Sequence, residues 1–176
     1  MSLFNLLKKK EQGPVIDDKT WMNQTGKLKG CAALLKEHPA YTLVAWLLRT
    51  KEEAAAYLFR EYGLSPVIET ATSVMPSRIQ GKEICFLEHH PQLGKELNLL
   101  KSWKCEKVLF LNSLEDAVFY HSKPERIIEL MQRLGHQENE VIQHPMVTKS
   151  IRRAQQKFDK EGIKDLPKKY GEWLWV

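Results

Sequence analysis

The chain is 176 residues long, 43% hydrophobic and 28% charged, a composition that supports one globular domain and excludes a mainly disordered or fibrous chain. Its 27 Lys and Arg against 22 Asp and Glu leave a formal charge of +5, which favours anionic partners only where the charge gathers on one surface. The longest apolar run, near Leu43 to Leu48, falls far short of the roughly 20 residues that a membrane-spanning helix needs.

Residues 1–22 read as a mobile leader, broken at Gly13-Pro14 and without a sustained period. Leu3, Phe4, Leu6 and Leu7 stand ahead of Lys8, Lys9 and Lys10, the reverse of a secretory signal, so export is not expected. Residues 23–176 are expected to form a single domain. Leu28, Cys31, Ala32 and Leu35 recur at helical spacing and predict a helix over 25–36, stopped by Pro39. Residues 41–48 are apolar on both faces, as a central strand of a parallel sheet must be. Thr50 and Glu53 have the spacing of a capping box opening a helix, with Ala55, Leu58, Phe59 and Tyr62 inward and Gly63 as its end.

A strand near 66–70 and an irregular link over 73–81 follow. Residues 83–87 predict a strand, 91–101 a helix with Leu93, Leu97 and Leu100 inward, and 107–111 another strand. Ser122 and Glu125 suggest a second capping box, before a helix marked by Ile127, Ile128, Met131 and Leu134 and closed at Gly135. The last helix is predicted over 145–160, with Val147, Ile151, Ala154 and Phe158 on one stripe. Strands alternating with helices predict an α/β fold with a mainly parallel sheet.

Candidate chemistry is sparse. None of the pairs Gly26-Lys27, Gly81-Lys82 and Gly94-Lys95 completes a phosphate loop, and no dinucleotide-binding glycine pattern is present. Cys85, Glu88, His89 and His90 cluster, but two adjacent His beside one Cys lack the spacing of a zinc site, so no metal is expected. No nucleophile elbow occurs. The paired acids Asp17-Asp18, Glu52-Glu53 and Glu115-Asp116 read as solvated faces or caps. Cys31, Cys85 and Cys105 are odd in number and sit on apolar or helical segments, which fits reduced thiols and a cytoplasmic location. Trp173 and Trp175 flank Leu174 and admit two readings, folding back to close the core or anchoring a partner.

The stretch Ser113-Leu114-Glu115-Asp116, followed by Glu125-Arg126-Ile127-Ile128, Arg133-Leu134-Gly135, Glu140-Val141-Ile142-Gln143-His144, Lys149-Ser150-Ile151 and Ala154-Gln155-Gln156-Lys157, closely resembles SecA, the ATPase of bacterial preprotein translocation. It is similar to the end of that family's second nucleotide-binding domain and the start of its helical scaffold. The resemblance implies a RecA-like, helicase-type domain lacking the phosphate loop. It also implies that ATP would lie between two such domains, for the first of which this chain has no room.

Where the family carries an arginine-rich motif, this sequence reads Leu97-Asn98-Leu99-Leu100-Lys101-Ser102-Trp103-Lys104, and Glu88-His89-His90 replaces a Glu-Arg-His element. The glycine-rich segment expected between Thr70 and Gly81 is shortened. The resemblance therefore implies a non-catalytic domain without a bound cofactor, with Glu88, His89 and Lys101 as a nucleotide-site remnant. It further implies a protein-interaction role linked to Sec-dependent export. The candidate partner-binding residues are Lys149, Arg152, Arg153, Gln156, Trp173 and Trp175. A nucleotide sensor or split-ATPase subunit is the alternative, and single-stranded nucleic-acid binding a further, disfavoured one.

Overall fold

The computed structural model describes residues 14–122, 124–142 and 145–162. Five strands, β1 (Val15–Trp21), β2 (Thr42–Ala45), β3 (Ile68–Thr70), β4 (Ile84–Phe86) and β5 (Lys107–Ser113), form one sheet in the order β1-β5-β4-β2-β3. Every pairing is parallel. The helices are α1 (Gln24–Glu37), α2 (Leu48–Tyr62), the single turn α3 (Pro76–Ile79), α4 (Leu93–Ser102), α5 (Pro124–Arg133) and α6 (Pro145–Glu161), with a 3-10 segment over Ala117–Ser122. This is an α/β arrangement with a parallel sheet, as the alternation predicts, and of the RecA-like type that the resemblance implies.

The sheet is buried on both faces, which explains the unbroken apolar runs of its inner strands. On β5, Val108 and Phe110 face one layer with Trp46, Leu100, Trp103 and Phe158. Their neighbours Leu109 and Leu111 face the other, with Cys31, Leu34, Leu35 and Leu58. The first layer centres on Phe86, whose ring stacks on Phe110 at 4.9 Å and on Trp103 at 5.8 Å. A third cluster, including Met22, Leu114, Val118, Phe119 and Ile151, joins α6 to the 3-10 segment.

Four expectations need correction. The leader expected over 1–22 is ordered structure over Val15–Trp21, where β1 pairs with β5 in register from Val15↔Lys107 to Trp21↔Ser113. The polar sequence of β1 hid it, because an edge strand presents polar side chains without losing its ladder. Residues 1–13 lie outside the described residues.

The Thr50/Glu53 capping box is also overturned. The helix starts at Leu48 with Leu47 as its N-cap and no side-chain cap bond, the Thr50 hydroxyl bonds Glu88, and Glu53 pairs with Arg49 at 2.7 Å. Phe59, expected inward, is 65% exposed, while Ala54 takes the inner position. On α4, Leu97 is 38% exposed and Glu96 is fully buried in its place, because a buried cation demands that carboxylate.

Other expectations hold. Gly63 ends α2 at φ 64, with its N–H on the Phe59 carbonyl, a left-handed position suited to glycine. Gly135, at φ 81, closes α5, and Ile151, Ala154 and Phe158 are the buried stripe of α6. The Ser122 side chain lies outside the described residues, so the second capping box does too.

Candidate functional site

The chain leaves β2 through α2 toward β3, and leaves β4 through α4 toward β5, in opposite directions across the sheet. Between the carboxyl ends of β2 and β4 the strand order therefore reverses, and open parallel sheets bind ligands at such a crevice. A cleft of about 490 Å³ lies there, with Leu47, Arg49, Thr50 and Glu53 from α2 and the loop before it, Glu88 from the end of β4, and Glu115, Asp116, Tyr120 and Glu125 beyond β5.

Glu88 ties the two strands together at this point. Its Oε1 accepts the backbone N–H of Trp46 at 2.9 Å and of Leu47 at 3.2 Å, and its Oε2 accepts the Thr50 hydroxyl proton. It supplies from another strand the N-terminal cap that the sequence of α2 lacks. Burial pushes its pKa up to about 7, against the pull of Lys27 and of the Thr50 hydrogen bond.

Lys27 is 1% exposed. Its Nζ donates to the Leu87 carbonyl at 2.9 Å and to Asp116 Oδ1 at 2.8 Å. Asp116 Oδ2 in turn accepts the Ser113 N–H. The expectation that Asp116 is a solvated acid is thus corrected: it compensates a buried ammonium, which could not stay charged there alone.

Behind the cleft lies a second polar cluster. His89 stacks on Phe110 with ring centroids 3.9 Å apart and places Nδ1 2.8 Å from Glu96 Oε2 and Nε2 2.7 Å from Asp18 Oδ1. Burial disfavours the imidazolium, but the Glu96 and Asp18 carboxylates outweigh it and hold the pKa at about 9. At neutral pH both ring nitrogens therefore donate. Glu96 Oε2 also accepts from the His90 N–H and from Gln155 Nε2, while Oε1 accepts Arg152 Nη1 at 3.2 Å. Gln155 further donates to the His90 carbonyl. Edge strand β1, the turn after β4, helix α4 and helix α6 are joined in one network. Asp18, expected on a solvated face, is one of its buried ends.

The three residues expected to mark a nucleotide remnant do not converge. Glu88 lines the cleft, His89 is enclosed in the network behind it, and Lys101 is an exposed residue in the last turn of α4, about two helical turns from the end that approaches His89. Of the partner-binding candidates, Lys149, Arg153 and Gln156 are exposed on α6, at the i, i+4, i+7 spacing of one face. Arg152 is turned inward to Glu96 and Gln155. Trp173 and Trp175 lie outside the described residues.

Sequence reasoning missed Lys27, Glu96, Asp18 and Gln155. Lys27 stands four residues before Cys31 on the apolar face of α1, and Glu96 four before Leu100 on that of α4. A charge on an apolar stripe was the available signal.

The cleft's charged lining is mostly acidic. Among the described residues Glu53, Glu88, Glu115, Asp116 and Glu125 line it beside Arg49, but Arg49 pairs with Glu53 and the buried Lys27 pairs with Asp116. Among the described residues no group of three or more His, Cys, Asp or Glu could hold a metal ion, and no helix is long and apolar enough to cross a membrane. Cys31, Cys85 and Cys105 are free thiols, and burial pushes Cys31 up to about 12.

No protein-family model matches the chain. A stretch of 55 residues, 31% of the chain, is 51% identical to the protein translocase subunit SecA of Prosthecochloris aestuarii, of which it spans 5%. A stretch of 58 residues, 33% of the chain, is 50% identical to that of Chlorobium limicola, of which it spans 6%. About a third of the chain is therefore a SecA-related region, and the chain spans only a small fraction of the relatives it matches.

Proposed function

We propose that this chain is a non-catalytic, SecA-like interaction module of the cytoplasm, which binds a protein component or client of Sec-dependent export through the outer face of α6. The observation that carries this reading is the charge of the switch-point cleft. Among the described residues its lining carries five acidic side chains and one arginine. With Arg49 already held by Glu53 and Lys27 by Asp116, it offers an anion no uncommitted lining cation, whereas ATPase sites stabilise phosphoryl charge with cations and backbone amides.

The buried network supports the same reading. It fixes α6 to the sheet through Arg152 and Gln155, so that Lys149, Arg153 and Gln156 are presented outward on a rigid support. A preorganised face loses less entropy on binding than a mobile one. The relatives' description as translocase subunits suggests where such a partner is found.

Two measurements test it. Calorimetry with Mg-ATP and Mg-ADP at millimolar ligand is expected to give no binding heat, and stoichiometric binding would overturn the reading in favour of a nucleotide sensor. Affinity capture from the native cytoplasm is expected to lose one export component or client when Lys149→Glu and Arg153→Glu are combined. Undiminished capture would remove α6 as the interface.

A further inference from the structure

We propose that the outer face of α6 docks an acidic helix, through a cationic ladder formed by Lys149, Arg153 and Lys160 with Gln156 between them. This rests on the reading of α6 as the partner interface and names the chemistry of what it binds.

The ladder follows from helix phase. All four side chains are exposed, and at about 100° per residue they fall within an arc of about 60°. That arc lies opposite Ile151, Ala154, Gln155 and Phe158, which are buried. From Lys149 to Lys160 the row is about 16 Å long. The two acids of α6 stand to either side of it and are engaged: Asp159 accepts the Gly94 N–H at 3.3 Å, and Glu161 pairs with Lys157 at 3.7 Å. Among the described residues Lys149, Arg153 and Lys160 have no carboxylate partner. The positive charge that is scattered along most of the sequence is therefore gathered here on one surface, the condition under which it selects an anionic partner.

The ladder also limits which anion it fits. It holds no aromatic ring on which a base could stack and no apolar side chain that could enter a membrane surface. Another helix repeats its side chains with the same rise, so Asp or Glu at i, i+4 and i+11 meets all three cations in a single register. Each exposed pair contributes little alone, but a row of them speeds encounter and fixes orientation. Gln156 adds a donor and an acceptor in the middle of the row. The support is rigid, because Gln155 and Arg152 on the other side of α6 are bonded to Glu96 and the His90 carbonyl.

The test uses the full-length chain and two labelled, Ala-rich helical peptides of equal length and charge. One carries its Glu residues at i, i+4 and i+11, and the other spreads them around the helix. At about 50 mM salt, where screening is weak, the first peptide is expected to bind about tenfold more tightly than the second. Lys149→Glu/Arg153→Glu/Lys160→Glu is expected to weaken its binding by more than about tenfold, and the neutral triple variant to Gln by an intermediate factor. Lys82→Glu/Lys104→Glu/Lys107→Glu, exposed near the amino ends of β4 and β5, makes the same change in net charge and is expected to leave binding within about twofold. Far-ultraviolet circular dichroism verifies that each variant is folded. Equal affinity for the two peptides, equal loss in the two charge-reversed variants, or tighter binding of a single-stranded oligonucleotide of equal charge through the same ladder would overturn the proposal. Capture of an export component that is lost in Lys149→Glu/Arg153→Glu while neither peptide binds would leave α6 as the interface and overturn only its acidic ligand.

Discussion

At the scale of single residues, the cost of the buried charges is decided by their partners. Glu96 serves His89, Arg152, Gln155 and the His90 amide at once, so removing its charge leaves the buried His89 with Asp18 alone and takes from Arg152 its carboxylate. Glu96→Gln is expected to destabilise the fold by about 3 kcal/mol, as breaking a buried ion pair generally does, read as a lowered urea midpoint with an unchanged slope. The pH dependence has four parts. His89 is raised from 6.5 to about 9, so its contribution is complete below about 6.5 and disappears as pH climbs through about 9. Asp18 and Glu96 are lowered by His89 despite their burial, so their contribution is present above the ordinary carboxylate range and is lost as pH falls through their depressed values. Glu88 is raised from 4.5 to about 7. The folded state thus holds a proton that the unfolded state has released, and stability falls between those two values as pH rises. Burial lowers His90 from 6.5 to about 4, so its contribution grows as pH rises between those values and opposes that of Glu88. The Glu88 share is therefore read as the stability difference between wild type and Glu88→Gln from pH 4 to 8, which is expected to decline as pH rises.

At the scale of elements, α6 separates two neighbouring arginines by function. Arg152 faces Glu96 and Gln155 from within the network, while Arg153 is exposed. Arg152→Glu is expected to cost about 3 kcal/mol by placing a third carboxylate against Glu96. Arg153→Glu is expected to change stability by less than about 0.5 kcal/mol, as exposed substitutions do. Thermal unfolding of the two single variants checks this, and it makes Arg153, not Arg152, the position at which a partner interface can be probed without disturbing the fold. The same paired sequence, Arg152-Arg153, reads as one basic patch until the helix phase is known. On α2, likewise, Thr50 and Glu53 have the spacing of a cap, but Glu88 from the end of β4 already accepts the amides at that terminus, and this freed Thr50 to bond Glu88 in its turn.

At the scale of the whole molecule, stability is unevenly distributed. The inner strands β4 and β5 are buried along both faces and α6 is held by the network and by Phe158. In contrast, α5 has no fully buried residue, and Leu130 within it and Leu134 just after it are exposed. Amide exchange is expected to proceed from α5 first, then α6, with β4 and β5 last, because local opening follows buried apolar contact. Exchange of α5 as slow as that of β5 would contradict this ranking. This ranking bears on the cleft, since Pro124, Glu125 and Ile128 form one of its walls.

The sequence by itself determined the layered α/β architecture, four of the five strands, the left-handed glycine ends of α2 and α5 and the buried stripe of α6, because hydrophobic period and backbone sterics are local. It also carried the SecA-related region, through consecutive residues. Only the tertiary structure decided that Val15–Trp21 is a strand, since a polar edge strand is defined by the neighbour it pairs with. Only it decided that Lys27 meets Asp116 and that His89 lies between Asp18 and Glu96. Those pairs join residues 89, 71 and 7 positions apart, and the burial that gives such charges their strength exists only once the strands have been brought side by side.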